Sequence, residues 1–339
     1  MAIYFSLVVP VLILVDGIDG QTKTCPAPED IFPCTCKEFH YPPTELTCSD
    51  VTSNEQLASI FNREFRASDF GRLKIENNKY LTTIRPGDLG KASFQEIRIT
   101  SGILERVEPL AFAGSYVTAT KITVFSNHIV SFPFEELRNF TKLESLGLDF
   151  NRLTSFPVLQ SSSLQFISFQ SNNIEGPLPA DAFQKLPNIT EIGVRGLNLQ
   201  TLLPGTFVGL PQLRYVDVAA TNLKTLSSGT FELPDPEALG SVVYIEYNEI
   251  ETIEVDTFVG VIDNIRARSN KLHLLEEKVW RPYVEAGGIL NIEYNPFECG
   301  CDMAWLVLDS TFMSQVAEKT ACQDGTLFID LDPAPFKEC

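Results

Sequence analysis

An α/β solenoid, built by stacking one short strand per turn into a parallel sheet, is the fold this 339-residue sequence predicts. Three observations predict it. The pattern L-x-x-L-x-L-x-x-N-x-L recurs in register, most clearly at Leu143-Leu146-Leu148-Asn151-Leu153 and Leu164-Ile167-Phe169-Asn172-Ile174. Its Asn position can be counted ten times, at Asn78, Gly102, Asn127, Asn151, Asn172, Leu197, Thr221, Asn248, Asn270 and Asn295, or about 24 residues per turn. Eight cysteines fall into two groups of four, one near each end, with none between. The period is that of leucine-rich repeats, so the expected form is a horseshoe with a concave sheet and a cysteine-rich cap at either tip.

Each element follows in order. The apolar run Ile3 to Val15 falls short of the roughly 20 residues that span a bilayer, and reads as the core of a secretory signal. Residues 1–20 are therefore a leader, cleaved near Gly17 or Gly20. Residues 21–66 form the first cap, holding Cys25, Cys34, Cys36 and Cys48. In it Ser53-Asn54-Glu55-Gln56 is a capping box that opens a short helix through Phe61.

Residues 67–296 carry about ten repeats. Alternation in L-x-L turns both apolar side chains to one face of a strand, and the Asn side chain satisfies backbone groups where the chain leaves it. A Phe recurs on the outer arc at Phe112, Phe183, Phe207, Phe231 and Phe258, each preceded by Ala or Thr. Residues 297–339 form the second cap with Cys299, Cys301, Cys322 and Cys339. There Asp302 is the expected N-cap of a helix, with Trp305 and Leu306 as a lid over the core. Each cluster contains a Cys-x-Cys, which also suits a metal. The scatter of His40, His128 and His273 and the signal sequence favour disulfides.

These caps and repeats resemble the extracellular leucine-rich-repeat family of animals. Within it, Cys25-Pro26-Ala27-Pro28-Glu29-Asp30 and Leu81-Thr82-Thr83-Ile84-Arg85-Pro86-Gly87-Asp88-Leu89-Gly90 are similar to secreted arthropod relatives of the non-catalytic subunit of a shrimp (Oplophorus) luciferase. The resemblance implies first-to-third and second-to-fourth pairing in each cap: Cys25–Cys36, Cys34–Cys48, Cys299–Cys322 and Cys301–Cys339. It also implies a companion chain, with luciferin oxidation carried by a small separate luciferase-like subunit.

The formal charge is −18, from 44 acidic against 26 basic side chains. That balance argues against nucleic acid and against an anionic membrane surface, both of which attract Lys and Arg. No nucleophile elbow, phosphate loop or zinc motif occurs, so neither enzyme activity nor a cofactor is expected. Asp330 and Asp332 suit a solvated loop better than a cation site. Asn139-Phe140-Thr141 and Asn188-Ile189-Thr190 are glycosylation sequons lying just before strands.

What remains is a binding face. The outward positions of the repeats include Arg98, Lys121, Phe125, Asp149, Phe166, Glu191, Arg195, Tyr215, Asp217, Tyr244, Glu246 and Arg268, with Phe150, Tyr247 and Arg266 close by. Aromatic side chains flanked by charges are the composition of a partner-binding hot spot. The bland alternative is that aromatics merely suit strands. Ten strands about 4.8 Å apart give a groove about 43 Å long, enough for a small folded domain. The expected protein is a secreted, non-catalytic scaffold that binds a secreted or cell-surface protein, such as a small luciferase-like subunit. The alternative is an innate-immune or adhesive protein that binds glycans or receptor ectodomains.

Overall fold

The computed structural model describes residues 25–63, 68–234, 240–260 and 262–339. The expected leader lies outside them. One twelve-stranded sheet dominates the protein, and its strands follow one another in chain order. They are β1 (Thr35–Glu38), β2 (Thr44–Thr47), β3 (Asp69–Glu76), β4 (Ser93–Thr100), β5 (Lys121–Phe125), β6 (Ser145–Gly147), β7 (Phe166–Ser168), β8 (Glu191–Gly193), β9 (Tyr215–Asp217), β10 (Val242–Tyr244), β11 (Asn264–Arg266) and β12 (Ile289–Asn291). Strands β1 and β2 form an antiparallel hairpin; each later neighbour is parallel to the strand before it. The sheet thus exceeds the ten strands expected, because Leu46 of the cysteine-rich hairpin lies opposite Leu73 of β3.

The alternation expected from L-x-L explains why such short strands hold. Leu46, Leu73, Ile97, Ile122, Leu146, Ile167, Ile192, Val216, Val243, Ile265 and Leu290 meet in register, and none is more than 1% exposed. Burial of each such side chain contributes roughly 1.5–3 kcal/mol. The residue just before the Asn position has a left-handed φ in all ten turns, from 52° at Ser126 to 71° at Gly196. That turn aims the Asn side chain into the core, and it fixes the register where Leu197 and Thr221 replace Asn.

On the side away from the sheet, Phe183, Phe207 and Phe231 stack nearly parallel at 5.6 and 5.4 Å. Phe258 continues the column at 5.5 Å, and Trp280, on the helix Glu277–Glu285, ends it at 6.0 Å. The Thr before three of these rings has a defined task. The hydroxyls of Thr206, Thr230 and Thr257 donate to the carbonyls of Leu203, Ser227 and Glu254, at 2.7, 2.6 and 2.7 Å. The turn from Asn151 to Asn172 is shorter, and in it Phe156, which follows Ser155 rather than Ala or Thr, fills that layer edge-on to Phe169 and Phe183.

At the ends, four disulfides join Cys25 to Cys36, Cys34 to Cys48, Cys299 to Cys322 and Cys301 to Cys339. Ser53 caps the helix Asn54–Phe61, its hydroxyl accepting from Gln56 N at 3.1 Å. Asp302 differs from expectation. The helix Ala304–Val307 follows a 3-10 turn at Cys301–Met303, so Asp302 lies too early to cap it and instead accepts from Leu275 N at 2.6 Å. Trp305 is half-buried, and its indole N–H donates to Leu275 O at 3.0 Å. Leu306 is fully buried. Among the described residues no helix is long and apolar enough to cross a membrane.

Candidate partner-binding face

Because inward and outward positions alternate, the register that buries Leu46 to Leu290 also arranges the opposite side chains in columns. One column runs Glu45, Arg72, Glu96, Lys121, Ser145, Phe166, Glu191 and Tyr215. The next runs Lys74, Arg98, Thr123, Gly147, Ser168, Gly193, Asp217, Tyr244 and Arg266. The structure divides the expected face residues into two groups, with a low floor between them.

The first group surrounds an open depression of about 500 Å³ lined by Arg72, Glu96, Arg98, Thr123, Lys121 and Phe125, among others. Arg72 is clamped between Glu45, at 2.8 Å, and Glu96, at 2.6 Å. Arg98 is exposed, with its Nε 3.5 Å from Glu76. Lys121 is exposed as well. The Phe125 ring meets Phe150 edge-on at 5.1 Å, and both are well exposed.

Gly147, Ser168 and Gly193 make the floor. A Cβ at Gly193 would come within 2.9 Å of the Ser168 hydroxyl, so close strand packing requires the glycine. Asp149 is half-buried here and accepts from the Ser168 hydroxyl and from Gln170 N. Burial pushes its carboxyl up, against those two hydrogen bonds. Phe166 and Glu191 are half-buried beside it, and Glu191 pairs with Arg214 at 3.2 Å.

The second group is denser. Tyr215 lies half-buried with its ring 5.0 Å from that of Tyr244, and burial raises its hydroxyl pKa, as does the charge of Asp217. Arg266 covers Tyr244 at 5.0 Å. Asp217 is buried, accepts from Ala219 N at 3.0 Å and lies 4.0 Å from Arg195. Burial pushes Asp217 and Glu246 up; Arg195 opposes the shift at Asp217, while Arg268, Arg266 and Arg195 oppose it at Glu246. Arg268 sits between Tyr247, at 5.7 Å, and Tyr294, at 5.1 Å. Tyr294 is not among the residues read from the sequence. Its signal was available, since it holds the left-handed position before Asn295, outside the L-x-L alternation.

Of the two sequons, Asn139 ends the 3-10 turn Phe134–Asn139 ahead of β6, and Asn188 precedes β8; both are exposed. Asn188 donates to Ser162 O at 2.6 Å.

Parallel strands in chain order, the turn asparagines and the paired end cysteines define a protein of the leucine-rich-repeat class with cysteine-bonded ends. A chain from the octameric complex of latrophilin 3, Unc5D and the leucine-rich-repeat protein FLRT2 shares the fold, with TM-score 0.62 and 19% identity over 77% of this chain and 81% of that one. The chain belongs to the family of the Oplophorus-luciferin 2-monooxygenase non-catalytic subunit. It is 34% identical to that subunit from Oplophorus gracilirostris over 322 residues, covering 95% of this chain and 89% of the relative. No family model matches the chain.

Proposed function

We propose that this protein is a secreted, non-catalytic scaffold whose repeats close into a solenoid, with the sheet as its concave wall, and that this wall holds a partner protein. In this reading residues 1–20 are a cleaved leader, residues 21–66 and 297–339 are caps, and residues 67–296 are the binding body. The sequons at Asn139 and Asn188 lie on the approach to the strands, where glycans leave the face free. The partner is a small secreted subunit of luciferin 2-monooxygenase type.

The observation that carries the reading is kinship with a chain named as a non-catalytic subunit. The face supports it, since Tyr215, Tyr244 and their charged neighbours have the make-up of an interface hot spot. A rigid wall that recognises only a folded partner stabilises that partner by mass action.

The test is capture of the candidate small subunit by the purified chain. Phe166→Ala with Tyr215→Ala is expected to weaken it by about tenfold or more; undiminished capture would refute the face. The chain alone, given a coelenterazine-type luciferin, is expected to emit no light above background. Sustained turnover would make it an enzyme, and a reproducible polysaccharide ligand on a glycan array would move it to the recognition class.

A further inference from the structure

Ten turns share one left-handed position, and seven of them fill it with Asn, Ser, Gly or Ala. The other three use Phe150, Tyr247 and Tyr294, at φ of 55°, 57° and 58°. A left-handed backbone is unfavourable for a bulky side chain. Burial gives no return here, because the three are 51%, 47% and 66% exposed. Strand propensity gives none either, since all three stand beyond the strand ends. Outliers of this sort gather at sites where contact with another molecule repays them.

Two of the three belong to a larger construction. Arg195 covers the Tyr247 ring at 5.7 Å from one side, and Arg268 lies 5.7 Å from it and 5.1 Å from Tyr294. The result is an alternation of guanidinium and phenol along the strand ends from β8 to β12. A guanidinium stacked on rings offers its N–H edge, and that edge fits a carboxylate. The Nε atoms of Arg266 and Arg268 are buried and have no hydrogen-bond partner. Of the acids around them, Asp217 and Glu246 are only 4% and 9% exposed, and Glu293, beside Arg268 on the next turn, is half-exposed, so at the surface the guanidiniums of Arg195, Arg266 and Arg268 outnumber the carboxylates.

From Phe150, after β6, to Tyr294, after β12, there are six strand spacings, about 29 Å. That span matches a folded domain of about 100 residues, whose radius of gyration is about 13 Å. The net charge of −18 does not forbid an acidic partner, because remote charges are screened beyond about 8 Å at physiological salt.

Resting on the scaffold reading above, we infer that the strand-end rim of Phe150, Tyr247 and Tyr294 is the docking edge for a folded acidic domain, whose carboxylates meet the stacked Arg266 and Arg268. The rim then adds anchoring contacts to those of Phe166 and Tyr215 on the sheet.

The experiment uses the full chain with three probes: a dodecaglutamate peptide, a dodecalysine peptide and heparin. The acidic peptide is expected to bind, with affinity falling as salt rises. Tyr247→Ser with Tyr294→Ser, and separately Arg268→Gln, are expected to weaken it about tenfold. The double Ser variant, which restores the residue type used at Ser126, Ser171 and Ser269, is expected to melt within about 2 °C of the parent. Absence of acidic-peptide binding, preference for heparin or dodecalysine, equal binding by the variants, or a lowered melting point would each overturn the rim. If Phe166→Ala with Tyr215→Ala abolishes capture of the small subunit while the rim variants do not, the rim fails and the scaffold reading stands.

Discussion

A single turn asparagine does more for this fold than its size suggests. The Asn151 Oδ1 accepts from Ile129 N at 3.0 Å, and its Nδ2 donates to Val124 O at 2.7 Å and Leu148 O at 2.9 Å. Asn151→Ala takes the acceptor from the buried Ile129 N–H and the side-chain donor from Val124 O, while Leu148 O keeps its bond from Asn172 Nδ2 at 2.9 Å, so a loss of about 1–3 kcal/mol is expected in denaturant unfolding. The opposite substitution is also unfavourable: a Cβ at Gly102 would meet the Asn127 Oδ1 at 2.8 Å and Asn78 O at 3.1 Å. Gly102→Asn, which completes the repeat pattern, is therefore expected to lower the melting point. The sequence makes the Asn ladder visible and marks Gly102 as a departure, yet the crowding behind Gly102 emerges only from the neighbouring turn. Thr221 has a comparable explanation. Its N–H and hydroxyl both lie against the Asn248 Oδ1, at 2.8 and 3.2 Å. Titration belongs to the same scale. Burial raises the folded-state pKa of Asp217, so the folded chain binds more protons than the unfolded chain between the two values, and stability falls as pH rises through that window. Asp217→Asn removes this slope while keeping an acceptor for Ala219 N. The difference in melting temperature, variant minus parent, is expected to grow from pH 4 toward neutrality; a flat difference would contradict the burial effect.

At the scale of elements, strands of three residues are stable only as members of a column, and columns are what a fixed period writes most plainly. The core positions follow from L-x-L, and so does the sheet order, since each turn can reach only its neighbours. The ring column is legible in part. Phe183, Phe207, Phe231 and Phe258 lie in it, whereas Phe156, which follows Ser155, and the closing Trp280 fall outside the Ala–Phe and Thr–Phe pairs. Their turns depart in length or content, so packing against the neighbours decides them. Phe231→Ala is expected to cost about 3–5 kcal/mol, because the ring is fully buried between Phe207 and Phe258 and its cavity cannot collapse onto the sheet. The helix Glu277–Glu285 shows the same limit of pattern reading. Its Tyr283 hydroxyl accepts from Ile265 N at 3.0 Å and donates to Ile289 O at 2.8 Å, tying a helix to two strands that sequence separates from it. The candidate face divides in the same way: outward strand residues can be counted from alternation, while Tyr294 lies in the turn, where alternation says nothing.

Across the whole molecule, contacts run from each strand to the next in chain order, so stability behaves as a line of coupled units whose weak points are its two ends. The paired cysteines occupy those ends. Cys301–Cys339 closes 38 residues and Cys25–Cys36 closes 11, so by chain entropy the former restrains the unfolded state by about 4 kcal/mol and the latter by about 3. The C-terminal bond also secures buried Phe336 and Phe328, which pack into the same core as Leu306 and Met303. Breaking it with Cys301→Ser and Cys339→Ser frees that lid while leaving Cys299–Cys322 intact. Hydrogen exchange on this variant is expected to lose protection first at Leu308 and Phe328 and next at Leu290, with the amides of Leu148 and Phe169 slowest to respond. These amides all donate to backbone carbonyls, so exchange reads the opening of each layer directly. Simultaneous loss across the sheet would mean that the chain melts as one cooperative body, and the end bonds would then stabilise every layer equally.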